Sequence, residues 1–165
     1  MKADKSIELL SKCVGDELQA IHQYMYWHFH LDDQGFDPLA ALFRRVAIEE
    51  MGHLEMIAER ILFLKGDVDM VPSGPIEQIQ DAEEILKMAI AMELAAVEAY
   101  NQYAQECAAN ADSASKQMFE GLVTDEEGHY DEFDKQLDNV KRFGPSYLAL
   151  QSFNAGLGQG GGAAE

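Results

Sequence analysis

The sequence predicts an all-α protein, a four-helix bundle with a long crossover and a short fifth C-terminal helix. Three observations predict it. Apolar residues recur at helical spacing over four long stretches, and no run alternates apolar and polar residues as a strand would. Proline falls only at or between the ends of those stretches, where glycine is also concentrated. Two of the three connections are short and the middle one is longer, which makes two antiparallel hairpins joined by a segment able to travel the length of a bundle.

The elements follow in order. The first helical pattern runs from Asp4 to Leu31, and Asp32 to Phe36 form a turn. Asp37 and Pro38 read as N-cap and first residue of the second helix, because proline has no N–H to lose there and its φ is already helical. That helix runs to Leu64, with Gly66 placed to end it. Asp67 to Gln80, with Pro72, Gly74 and Pro75, is the non-helical crossover. Asp81 caps a third helix, Glu84 completes a capping box three residues on, and the helix reaches Ala108. The fourth spans Ser113 to Arg142 and is stopped by Gly144 and Pro145; Ser146 to Phe153 form the fifth. Residues 1–153 are thus expected to be one bundle domain, and 154–165 a flexible Gly-rich tail.

Charge narrows the partners. Twelve Lys and Arg against thirty Asp and Glu leave a net charge of -18, which repels nucleic acid and anionic membranes and attracts cations. No apolar run reaches the roughly 18 residues of a membrane span, and Asp4 and Glu8 interrupt any signal-like segment, so a cytoplasmic location is expected. Cys13 and Cys107 stand far apart without a C-x-x-C pattern and read as small buried apolar residues.

Six residues carry the chemistry: Glu17, Glu50, His53, Glu93, Glu126 and His129. Glu50/His53 and Glu126/His129 are Glu-x-x-His pairs, whose spacing sets both side chains on one helix face. Each glutamate sits in an apolar stripe. Glu17 has Cys13, Val14, Ala20 and Ile21 one turn away, and Glu93 has Ala89, Ile90, Ala96 and Val97. Glu8, Glu83 and Glu106, by contrast, read as solvated. An unpaired buried carboxylate costs several kcal/mol or takes up a proton. No Lys or Arg occupies the neighbouring positions, so bound cations are the simplest compensation.

The chain also repeats. Adding 76 to Glu17, Glu50 and His53 gives Glu93, Glu126 and His129, and the same offset maps Tyr24 onto Tyr100 and Gly52 onto Gly128. Glu17 and His53 each lie roughly 21 to 23 Å from the first turn at about 1.5 Å per residue, so the six groups can meet at mid-bundle. Four carboxylates and two imidazoles without thiolate suit iron or manganese better than structural zinc. Glu50 and Glu126 would bridge two ions, with Glu17 and His53 completing one and Glu93 and His129 the other. Tyr24 and Tyr100 read either as core aromatics or, for Tyr24, as a donor of an electron or hydrogen bond at the metals.

The segments Glu17 to Tyr24, Glu49 to His53, Glu59 to Leu64 and Asp125 to His129 resemble the bacterioferritin family, and the likeness extends from about Ile7 to Leu150. The resemblance implies ferroxidase activity at a di-iron centre with two irons per subunit, and dioxygen or hydrogen peroxide as oxidant. It also implies a ferric mineral stored in a homo-oligomeric shell of 24 subunits. A ferredoxin-type reductant is a candidate partner, Tyr24 is expected close to the metals, and the fifth helix near a four-fold axis. Met51 matches the family methionine that ligates haem at a two-fold interface, although by composition alone a helical methionine among eight reads as packing. Arg45 and Glu49 stand where some members carry a His and an Asp for an accessory iron on the cavity side. His22 is assigned a packing or supporting role, and His28 and His30 are expected to be exposed. The rival readings are a rubrerythrin-type peroxidase or oxidase, which would ordinarily carry a four-cysteine segment, a twelve-subunit DNA-protecting ferritin, which the acidic charge disfavours, and a purely structural bundle.

Overall fold

In the computed structural model, which describes residues 4–144 and 146–159, the helices are α1 (Asp4–Asp33), α2 (Asp37–Phe63), α3 (Ala82–Ala109), α4 (Ser113–Phe143) and α5 (Tyr147–Gln159). No strand occurs among the described residues, and none of their helices is long and apolar enough to cross a membrane. α1 packs along α2 and α3 along α4. Tyr24, late in α1, meets Glu93, early in α3, and Arg60, late in α2, meets Asp112, just ahead of α4. Neighbouring helices across the two hairpins are therefore antiparallel as well.

The caps largely follow the residue chemistry, with instructive departures. The Asp81 carboxylate accepts from Glu84 N at 3.0 Å and caps α3. The return arm of the expected capping box is not formed; the Glu84 carboxylate pairs with Lys87 instead, 2.8 Å away. Asp112 caps α4 through Ser115 N at 3.1 Å. α2 begins one residue earlier than expected: Phe36 is its N-cap and Asp37 lies within the first turn. At its C-terminus the left-handed residue is Lys65, with φ 71°, and Gly66 N bonds Ile61 O at 3.0 Å. Gly66 is required for a different reason. A Cβ there would stand 2.9 Å from Ile61 and 3.0 Å from Ile7, so the glycine permits the turn to seal against α1.

The crossover is stitched to α1. Ser73 N donates to Gly15 O at 2.9 Å, Gln19 bridges Gly74 and Pro75, and Gln23 bonds both backbone groups of Glu77. α5 extends past the expected Phe153 to Gln159, across part of the segment expected to be a flexible tail. Gly156 and Gly158 lower helix stability by about 1 kcal/mol each relative to alanine without removing a backbone hydrogen bond, so the helix continues. Residues 160–165 of the expected tail, like Pro145, lie outside the described residues.

The apolar core is divided. One cluster, built on Tyr24, Trp27, Phe43, Ile85 and Phe133, fills the half of the bundle next to the α1–α2 turn. The other, built on Leu10, Val14, Ile57, Tyr100 and Phe119, fills the opposite half. The layer between them is polar.

Candidate metal centre

That layer contains the six residues singled out by the sequence. The four carboxylates are almost fully enclosed, Glu17 and Glu50 at 1% exposure and Glu93 and Glu126 at 2%. His53 and His129 are buried too. Their ligand atoms form two groups, each within 4.8 Å: Glu17, Glu50, His53 and Glu126, and Glu50, Glu93, Glu126 and His129. Glu50 and Glu126 are common to both. His53 Nδ1 lies 2.8 Å from Glu50 Oε2, 3.3 Å from Glu126 Oε1 and 3.7 Å from Glu17 Oε2. His129 Nδ1 lies 3.0 Å from Glu126 Oε2, 3.2 Å from Glu50 Oε1 and 3.9 Å from Glu93 Oε2. In both halves Nδ1 is the imidazole atom turned to the carboxylates.

The protonation pattern shows what such a cluster demands. Burial pushes the Glu17 carboxyl up to about 8, and burial with the charge of Glu50 raises Glu93 well above the usual range. Burial works against charge on Glu126 as well, but the adjacent imidazoles of His129 and His53 outweigh it and hold that carboxyl at about 2. Burial lowers the imidazoles, yet the adjacent carboxylates of Glu126 and Glu50 raise His129 to about 11, and those of Glu126, Glu17 and Glu50 raise His53 strongly. Protons thus take the place that cations would occupy. They compensate incompletely: Glu50 Oε2 and His53 Nδ1, though close, make no hydrogen bond of acceptable geometry. Two buried polar atoms left without a partner, within two groups of oxygen and nitrogen donors, fit a pair of metal ions.

Groups behind the six residues repeat at the same offset of 76. Tyr24 donates to Glu93 Oε1, and Tyr100 donates to Glu17 Oε1 at 2.8 Å, so each terminal glutamate is held by a tyrosine from the other hairpin. Burial raises both phenols well above their ordinary value, so they act as donors. The outward Nε2 of His129 lies 3.0 Å from Glu49 Oε2, and that of His53 lies 3.4 Å from Asp125 Oδ2. A carboxylate on Nε2 fixes the ring and leaves Nδ1 free to ligate. Nothing in the sequence singles out Glu49 and Asp125 for this role, though each directly precedes one of the shared glutamates and the two are related by the internal repeat.

Other residues divide clearly. Both cysteines are buried and free, and the Cys13 thiol lies 3.8 Å from Glu17 Oε1. His22 is exposed and outside the cluster. His28 and His30 are half-buried, not exposed as expected: His28 Nδ1 lies 2.9 Å from Ala40 O, and His30 packs 4.4 Å from the Tyr26 ring. Glu8, Glu83 and Glu106 form ion pairs with lysines at the surface. Met51 is 55% exposed on the outside of α2, beside exposed Ile48, and is no part of the core. A cavity of about 330 Å³ reaches the four glutamates from the α1/α3 side, between Asp16, Ser73, Ala96 and Ala99. On the α2/α4 side a depression of about 530 Å³ lies over the two buried histidines, between Arg45, Glu49, Asp125 and Glu132.

Four helices converging two carboxylate-bridged histidine sites on one buried layer define the ferritin-like class. Residues 7–143 match the family described as a ferritin-like domain. The chain is 40% identical over 152 residues to bacterioferritin from Rhodobacter capsulatus, covering 91% of this chain and 94% of the relative. It is 36% identical over 145 residues to that of Desulfovibrio desulfuricans, covering 88% and 81%. The solved R. capsulatus bacterioferritin, described as having a metal-free dinuclear site and haem iron, superimposes with a TM-score of 0.87 at 36% identity over 92% of this chain and 94% of that one. The D. desulfuricans structure, described by a diiron site in different catalytic states, gives 0.87 at 36% identity over 88% and 85%. The chain belongs to the bacterioferritin family.

Proposed function

We propose that this protein oxidises ferrous iron at the six-residue centre and stores the ferric product in a hollow shell of 24 identical subunits. The single observation that carries the reading is the pair of ligand groups sharing Glu50 and Glu126. Ferrous ions are the substrate. Glu17 with His53 would hold one and Glu93 with His129 the other, with Glu50 and Glu126 between them. Each ion gives up one electron; dioxygen takes two electrons and two protons to become hydrogen peroxide, or peroxide takes the same to become water.

The chain's own groups make this feasible. The carboxylates favour the ferric over the ferrous charge, because oxygen anions in a layer sealed by two apolar clusters act at low dielectric. Tyr24 and Tyr100 keep the terminal glutamates oriented, and Tyr24 stands where it can donate to Glu93 during turnover. The acidic surface concentrates cations around the molecule, and the α1/α3 cavity gives them access to the site. A cytoplasmic location and a ferredoxin-type reductant for iron release complete the proposal.

Haem at a two-fold subunit interface, with Met51 as the axial ligand from each subunit, belongs to the same reading. The exposed thioether beside Ile48 fits it, since a core methionine would not face outward. Haem would supply a path for reducing electrons. Loading the metal-free protein anaerobically with ferrous iron and admitting oxygen tests the function. Rapid oxidation of two irons per subunit, in a particle of 24-subunit mass, is expected. Slow oxidation at the rate of free iron, or a twelve-subunit particle, would overturn it.

A further inference from the structure

The internal repeat breaks at one place beside the histidines. On one side Arg45 Nη1 donates to both carboxylate oxygens of Glu49, at 2.9 and 3.0 Å, and its Nη2 donates to Glu132. The Glu49 carboxylate in turn holds His129 Nε2 at 3.0 Å. On the other side the residue equivalent to Arg45 is Gly121, and the equivalent of Glu132 is Met56. Neither glycine nor methionine has a side chain that can donate to a carboxylate, so nothing at these two positions does the arginine's work. Asp125, one methylene shorter than Glu49, lies 3.4 Å from His53 Nε2 and its side chain is 57% exposed.

We propose that Arg45 is a positioning residue that makes the two metal positions unequal: by bracing Glu49 and through it His129, it renders the Glu93/His129 position the tighter one. The inference rests on the two-metal reading above. A surface ion pair alone adds little to stability. Here the arginine spans α2 and α4, and its planar fork fixes the carboxylate that fixes the ring. A histidine already held in the ligating tautomer and orientation has less freedom to lose when a cation arrives. The Glu17/His53 position has its terminal glutamate held by Tyr100, but its histidine is held only by a solvated aspartate. It would fill second and empty first.

Anaerobic titration of the metal-free assembled protein with Co²⁺, followed by its visible absorption, tests this without turnover. The wild type should bind two Co²⁺ per subunit in two resolved steps, and His129→Ala should remove the tighter one. Arg45→Ala should weaken that same step by about tenfold, the lower end of what groups behind a ligand contribute, and leave the other step unchanged. Glu132→Gln, which frees one arm of Arg45, should weaken it less and supplies the test if Arg45→Ala does not assemble. The proposal is overturned if Arg45→Ala leaves both steps intact or weakens both alike, or if His129→Ala removes the weaker step. A wild type that binds fewer than two Co²⁺ would instead refute the two-metal reading itself.

Discussion

Replacing Glu17 by glutamine should stabilise the metal-free protein. An ordinary glutamate ionises near 4.5, whereas burial moves Glu17 to about 8. Between those values folding requires a proton that the unfolded chain does not hold. The native state is therefore favoured most below pH 4.5 and loses stability as the pH rises towards 8. At pH 7, taking about 1.4 kcal/mol for each pH unit above the ordinary value, the penalty is about 3 kcal/mol; at pH 5 it falls to about 1 kcal/mol. Glutamine cannot ionise and keeps the oxygen that accepts from Tyr100. Calorimetry of the chelator-treated protein should show Glu17→Gln melting higher by about 6 to 12 °C at pH 7, at roughly 2 to 4 °C per kcal/mol for a domain of this size, with most of the gain gone at pH 5. Saturating Co²⁺ should close most of this gap, because the wild type gains about 2.7 kcal/mol at a hundredfold excess over Kd, whereas the variant lacks one ligand. A variant no more stable than the wild type at pH 7, or equally favoured at pH 5, would refute the claim that the site is strained by its own carboxylates.

Metal affinity should rise with pH. Glu17, Glu93, His53 and His129 all hold protons more tightly than usual in the metal-free protein, and a cation must displace them. Between pH 6 and 8 the Co²⁺ affinity should increase with proton release measurable in weakly buffered solution; a pH-independent affinity would contradict the ligand set. Glu93→Ala should reduce the initial rate of iron oxidation by at least about tenfold, as expected when one of the terminal ligands is lost, and stopped-flow absorbance at wild-type rate would show that Glu93 is not a ligand. Met51→Leu should abolish the haem absorption of the purified protein while leaving iron oxidation fast, and an unchanged haem spectrum would assign the ligand elsewhere.

The four long helices and the six clustered residues were legible because both are written as periodicity. A glutamate inside an apolar stripe contradicts its surroundings, and the contradiction repeats 76 residues later. Glu49 and Asp125 gave no such contrast. They sit at the rim of the α2/α4 depression, where a carboxylate is ordinary, and only the three-dimensional placement of the histidines reveals what they hold. Tyr100 was visible as the repeat of Tyr24, yet its donation to Glu17 depends on how the hairpins dock. His28 and His30 read as exposed from their position near a helix end, but the Ala40 carbonyl and the Tyr26 ring come from elsewhere in the fold or one turn away and shelter them. The end of α2 illustrates the limit at a single turn. Gly66 signals a helix stop, but the left-handed residue is Lys65, and the glycine answers to packing against Ile7 and Ile61.

The central claim is that two metal ions sit between Glu50 and Glu126. Crystals of the protein soaked anaerobically in ferrous iron, with diffraction recorded on both sides of the iron absorption edge, measure this directly. Two anomalous peaks per subunit are expected in the layer between the two apolar clusters, one bounded by Glu17 and His53 Nδ1, the other by Glu93 and His129 Nδ1. A single peak, or iron bound only at the acidic surface with the six side chains unmoved and unligated, would contradict it.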